Sequence, residues 1–238
     1  MRLRALFIAL FLPASLFFLV AALLDPFPIQ QGESSGRERR AAMAIRDPVH
    51  PVEKLFTKAF VVPYLERCYG EVRYFVQRQR SLWGLADEHR EVFPQVLAEL
   101  QEDYERVDLF LLGHTNHYVA WLEGAENLDP GKLGLVYNSG CRCGKQAERW
   151  KALGAKAYVA HPEAASHAPF FVYLLRRWCA GWVLQEAVHT SNERSTRLYR
   201  NLEWLSGGES HAETQKWEKS LAEVHGDGRW NLAAEVQP

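Results

Sequence analysis

The chain has 238 residues, 47% hydrophobic and 24% charged, with 16 Gly and 11 Pro, a make-up that excludes intrinsic disorder, collagen and low-complexity classes. Setting aside an apolar start of 28 residues, with its Arg2, Arg4 and Asp25, leaves 26 basic and 28 acidic residues and a net charge of about −2. A nucleic-acid footprint would need a basic excess, so no nucleic-acid partner is expected.

Residues 1–28 hold 20 consecutive uncharged residues, Ala5 to Leu24, which as a helix reach about 30 Å, the thickness of a bilayer core. The segment reads as a signal anchor that binds the membrane, or as a cleaved signal peptide, for which Val20, Ala21 and Ala22 offer small residues. Arg2 and Arg4 favour a cytoplasmic N-terminus, although Arg37, Arg39 and Arg40 beyond the span reduce the asymmetry. Either form puts the rest of the protein outside the cytoplasm, membrane-anchored or secreted. Residues 29–52 are polar, with QQGESSGRERR followed by DPVHP, and read as a linker. The domain is then expected over 53–205, with a helical extension over 206–238.

Within the domain, Ala59 to Leu65 and Val72 to Val76 are β-branched and aromatic runs of strand length. Glu91 to Tyr104 carries Phe93, Val96, Leu97, Leu100 and Tyr104 at helical spacing, with Pro94 in the first turn. Val107 to Leu112 is almost continuously apolar and reads as a strand covered on both faces. After a turn at Asp129, Pro130 and Gly131, Leu133 to Tyr137 is a second such strand. A helix over Gly144 to Leu153 stops at Gly154, and Ala155 to Ala160 is a third strand. Helices follow over Pro169 to Cys179 and, past Gly181, over Val183 to Leu205. Ser210 and Glu213 suggest a capping box for a last helix whose face carries Trp217, Leu221 and Val224. Helices alternating with buried, unalternating strands imply an α/β sandwich with a mainly parallel sheet flanked by helices.

The chemistry gathers where two strands end. One runs into GHTNH, with His114 and His117, and the next into NSGCRCG, with Cys141 and Cys143. Ligands of open parallel sheets bind beyond the carboxyl ends of the strands. If these strands are neighbours, about 4.8 Å apart, an imidazole can favour the thiolate of a nearby cysteine and later protonate a leaving amine. Gly140 and Gly144 allow a sharp turn and close approach of a substrate, with amides able to face an oxyanion.

In this order of elements the chain resembles the caspase-like cysteine peptidases, including metacaspases, legumain-type and gingipain-type enzymes and the bacterial CHAT proteases. The GCRCG of Gly140 to Gly144 is similar to the family's small-Cys-x-small-Gly turn, and His114 after VDLFLLG matches the position of its histidine. The stretch from Leu153, LGAKAYVAHPEAASHAPFFVYLLRRWCAGWVLQEAV, is similar to the CHAT pattern through Gly181, Glu186 and Ala187. The resemblance covers about Val107 to Val188. It implies a caspase-like domain and an endopeptidase with Cys141 as nucleophile and His114 as its base, acting on a protein or peptide and calling for no cofactor. Thr115 departs from the pattern, standing where the family has the glycine whose amide serves the oxyanion hole.

Two other readings stand beside it. His114, His117, Cys141 and Cys143 together are the donor set of a structural zinc site, although the single residue between the cysteines is shorter than usual zinc spacing. The domain could also be a catalytically silent binding module, as Thr115 suggests. Cys68 and Cys179 read as core thiols, with a disulfide between them open to an exported domain. His161, His167 and His189 read as structural or exposed.

Overall fold

The computed structural model describes residues 36–46, 61–77, 80–81, 84–85, 89–113, 117–163 and 168–232. The expected anchor or signal over 1–28 lies outside the described residues. Among those described, no helix is long and apolar enough to cross a membrane.

The architecture is α/β. Six strands form one sheet: β1 (Arg40–Arg46), β2 (Glu71–Val76), β5 (Arg106–Leu112), β6 (Leu133–Asn138), β7 (Ala157–Ala160) and β8 (Glu223–Gly226), in the order β2-β1-β5-β6-β7-β8. All pairs are parallel except β7 with β8. A small antiparallel hairpin, β3 (Arg80–Ser81) with β4 (Gly84–Leu85), stands apart. The helices are α1 (Val62–Cys68), α2 (Val92–Asp103), α3 (Tyr118–Leu122), α4 (Ala147–Ala152), α5 (Ala168–Cys179), α6 (Leu184–Leu205) and α7 (His211–Glu218).

Strand side chains alternate between two cores, as the twofold period of a strand requires. Ala42 and Ala44 of β1, Phe110 of β5, Tyr137 of β6 and Val159 of β7 pack with α1, α5, α6 and α7. Met43, Leu109, Val136 and Tyr158 face α2, α3 and α4. Both faces of the sheet are thus covered, which explains why its inner strands read as unbroken apolar runs.

Three sequence expectations are corrected here. The linker over 29–52 contains β1, all seven of whose residues are buried, so the sheet domain begins well before residue 53. Its alanines have weak strand propensity and its ends are arginines, which together hide a central strand. The strand expected over Ala59 to Leu65 is helical in its described part: 62–68 is helix α1, and Pro63 occupies its first turn, where a missing N–H has no intrahelical partner to lose. The extension over 206–238 is not wholly helical, because α7 ends at Glu218 and Val224 lies in β8, paired with Val159. The helix starts where Ser210 and Glu213 place it, but Ser210 makes no side-chain cap; its hydroxyl pairs with that of Ser206.

The other expected elements lie close to their places, while α3 and the β3–β4 hairpin had no sequence expectation. Gly154 ends the turn after α4 with φ 96°, and a methyl group there would overlap the Pro130 carbonyl. Cys68 and Cys179 form a disulfide that joins the ends of α1 and α5.

At the N-terminal end of the strands a buried polar cluster replaces the apolar core. Asp108 accepts hydrogen bonds from Arg106 Nε and Nη2 at 2.8 Å each, from Tyr69 Oη at 2.6 Å and from the Leu135 amide at 2.7 Å. The Arg106 guanidinium also lies over the rings of Trp178 and Trp230, 5.3 and 4.5 Å from their centroids. Only glycine fits at 134, where a Cβ would overlap Asp108 Oδ1 and Arg106 Nε.

Candidate active site

Strand order reverses about β1: the chain passes from β1 to β2 on one side and returns to β5 on the other. In open parallel sheets the crevice beyond the carboxyl ends at such a switch point is where ligands bind. The two strands read as carrying the chemistry, β5 and β6, are neighbours, with Leu111 paired to Asn138. Past that pair their ends are laced together, since the Ser139 amide donates to Leu111 O at 2.9 Å and the Gly113 amide donates to Ser139 Oγ at 2.9 Å.

Cys141 is half-buried in the turn that follows β6. His114 and Thr115 lie outside the described residues. His117 is exposed and immediately precedes α3. Cys143 is fully buried and opens a 3-10 turn over Cys143–Gln146. Its S–H donates to Asn138 Oδ1 at 3.1 Å. Burial above all, and then the proximity of Cys141, push its pKa up, so that it remains a thiol. A buried thiol of this kind is a poor nucleophile, which separates its chemistry from that of Cys141.

The glycines of the turn act differently from expectation. Its left-handed residue is Arg142, at φ 57°, the one non-glycine with positive φ among the described residues. Gly144 has room for a methyl group, the nearest atom being Pro162 Cα at 3.7 Å. Both glycine amides are engaged within the protein: Gly140 N–H donates to Asn138 Oδ1 at 2.9 Å and Gly144 N–H to His161 O at 3.4 Å. Neither is therefore aimed at a substrate oxyanion. Arg142 Nε meets Glu163 Oε2 at 3.2 Å, an exposed pair of small energetic value.

The zinc alternative draws no support from the part of its donor set that is described. Among the described residues no three His, Cys, Asp or Glu side chains gather where a metal could sit, so His117, Cys141 and Cys143 form no such group.

Residues not singled out from the sequence hold the turn in place. Asn138 binds both of its flanks, and Tyr158 Oη donates to Cys143 O at 2.9 Å. Beneath the turn, His161 is fully buried among Tyr137, Phe170 and Trp217. Its Nδ1 lies 2.7 Å from Ser220 O and its Nε2 3.3 Å from Tyr137 Oη. The asparagine has a legible signal, an Asn-Ser-Gly run at a strand end, where such side chains bond to nearby backbone.

Burial lowers the His161 pKa from 6.5 to about 4. The unfolded chain therefore takes up a proton first as pH falls, and stability present above pH 6.5 is lost down to pH 4. Linkage gives a loss of about 2 kcal/mol by pH 5 from this group alone. Urea denaturation of the wild type and of His161→Gln between pH 7 and 4.5 should show this slope in the wild type only. Parallel slopes would contradict the assignment.

The sequence was compared with family models and with curated proteins, and neither comparison found a match.

Proposed function

We propose that the chain is an exported or membrane-anchored cysteine endopeptidase of caspase-like fold, with Cys141 as nucleophile and His114 as its base. The observation that carries this reading is the β5/β6 register. With Leu111 opposite Asn138, His114 and Cys141 each follow three residues after a paired position, at the ends of two strands laced by Ser139. A mainly parallel sheet covered by helices on both faces is the architecture that the resemblance implies. The Cys68–Cys179 disulfide supports a place outside the cytoplasm, where such bonds form and persist, in keeping with an anchor or signal over 1–28. The substrate is a protein or peptide, and nucleic acid is not a partner.

In this mechanism the Cys141 thiolate attacks a peptide carbonyl and His114 protonates the departing amine. The resulting thioester is then hydrolysed by water, with His114 accepting the proton of the attacking water. Because the two residues act as a unit, Cys141→Ser and His114→Ala should each lower peptide cleavage by about 1,000-fold or more, and the double variant should lose little beyond either one. His117→Ala should retain activity.

One observation favours a second reading, the silent binding module. The amides of Gly140 and Gly144 are occupied by Asn138 and His161, and Thr115 replaces the glycine expected to supply an oxyanion donor. Missing one such donor costs about 100-fold or more in rate. A peptide-library screen distinguishes the two: slow cleavage that rises in Thr115→Gly supports the peptidase. No cleavage by the wild type or by Thr115→Gly leaves the silent module.

A further inference from the structure

We infer that Asn138 is a positioning residue for the Cys141 nucleophile, an inference that rests on the peptidase reading and deepens it. Asn138 is the last residue of β6 and is buried. One atom of its side chain grips the chain on both sides of Cys141. Oδ1 accepts the Gly140 N–H at 2.9 Å, one residue before the nucleophile, and the Cys143 S–H at 3.1 Å, two residues after it. Nδ2 approaches Gln146 Oε1 at 3.5 Å, and that oxygen also accepts from Trp150 Nε1 at 3.4 Å. Tyr158 Oη holds the Cys143 carbonyl from the adjacent strand.

The segment is thus tied at 140 and 143, and only Cys141 and Arg142 lie between the ties. The left-handed Arg142 gives the chain the bend that brings Cys143 back beneath the asparagine. An amide suits this place because it presents a neutral acceptor to both donors and a donor to Gln146. A carboxylate would offer the same acceptor but set a negative charge beside the thiolate. Cys143 serves the arrangement as a hydrogen-bond donor, which gives a physical use to a second thiol so close to the first. A reactive group displaced by about 1 Å can lose on the order of 100-fold in rate, so a side chain that fixes the turn acts on catalysis without touching substrate.

The test compares wild type, Asn138→Ala, Asn138→Asp and His114→Ala, each in the whole protein. Iodoacetamide alkylation of Cys141 and Cys143 is followed by peptide mapping from pH 5 to 9, with circular dichroism to establish folding. Asn138→Ala is expected to slow Cys141 alkylation at least tenfold at pH 6 and to expose Cys143 to the reagent. Asn138→Asp keeps the acceptor oxygen, so Cys143 should stay protected while the Cys141 profile moves to higher pH. A purely structural role would change the melting temperature and leave the Cys141 profile of the folded protein unmoved. A profile that moves in His114→Ala but not in folded Asn138→Ala overturns the positioning role alone. One that moves in none of the three overturns the peptidase reading and the positioning role with it. If Asn138→Ala does not fold, Asn138→Leu, close to asparagine in size and without its acceptor oxygen, decides by the same criteria.

Discussion

Asp108→Ala is expected to destabilise the domain by about 3–5 kcal/mol, the cost of leaving a buried charge without its partner. Asp108 is fully buried and answers four donors: two from Arg106, one from Tyr69 and one from the Leu135 amide. Removing it strands all of them where water does not reach. The guanidinium keeps its two tryptophan faces and a bond from Nη1 to Asn231 O at 3.4 Å, but ring contacts of this kind, worth about 2 kcal/mol when desolvated, do not replace a carboxylate. Tyr69→Phe removes one donor to Asp108 and the oxygen that accepts from Trp178 Nε1 at 2.8 Å, and should cost about 1–3 kcal/mol. With total stabilities near 5–15 kcal/mol, the alanine variant would approach the folding threshold. Urea titrations of both variants provide the check. A loss under about 1 kcal/mol for Asp108→Ala would show that the cluster is dispensable, as a well-hydrated ion pair would be.

Comparable in size is the loss expected when the disulfide is removed. Cys68 and Cys179 are separated by 111 residues, and closing a loop of that length restricts the unfolded chain by about 4–5 kcal/mol on the chain-entropy account. Replacing both by alanine should lower the melting temperature by roughly 10–15 °C for a domain of this size. The bond spans β2, β5, β6 and β7, so the unfolded ensemble feels it across most of the sheet. Calorimetry of the oxidised protein, the reduced protein and the double variant measures the effect. Equal melting temperatures for all three would show that the loop is already restricted without the bond.

The parts of the fold most legible from the amino acids were those with a long, unmixed pattern. Leu109, Phe110, Leu111 and Leu112 announce a covered strand, and Phe93, Leu97 and Leu100 share one helical face. The hidden parts owe their structure to distant partners. Ala41, Ala42, Met43 and Ala44 form a central strand because β2 and β5 lie on either side of it, not because alanine favours strands. Val224 falls in helical phase with Trp217 and Leu221, yet β7 offers an open edge and the segment pairs with it. Asp108 interrupts an apolar run in a way that only Arg106, two residues earlier on the same face, could have explained.

At the candidate site the strand ends and the cysteine turn could be placed from the sequence, since a strand followed by Ser, Gly and Cys is a local pattern. The division of labour between the two cysteines could not. It depends on Asn138 and Tyr158 reaching the turn from β6 and β7, and on burial that no spacing rule reports.

The position of β8 decides which edge the sheet presents on that side. β7 is short, apolar and buried along its whole length. Left without its last neighbour, it would present an open row of backbone donors and acceptors able to template another chain. β8 caps that row with a four-residue antiparallel strand that begins at the exposed Glu223, and so short and charged an edge is a poor template for further pairing. Chains that end before Glu223 would therefore be aggregation-prone even with every residue of the candidate site in place, and proteolysis within this tail would uncover the β7 edge.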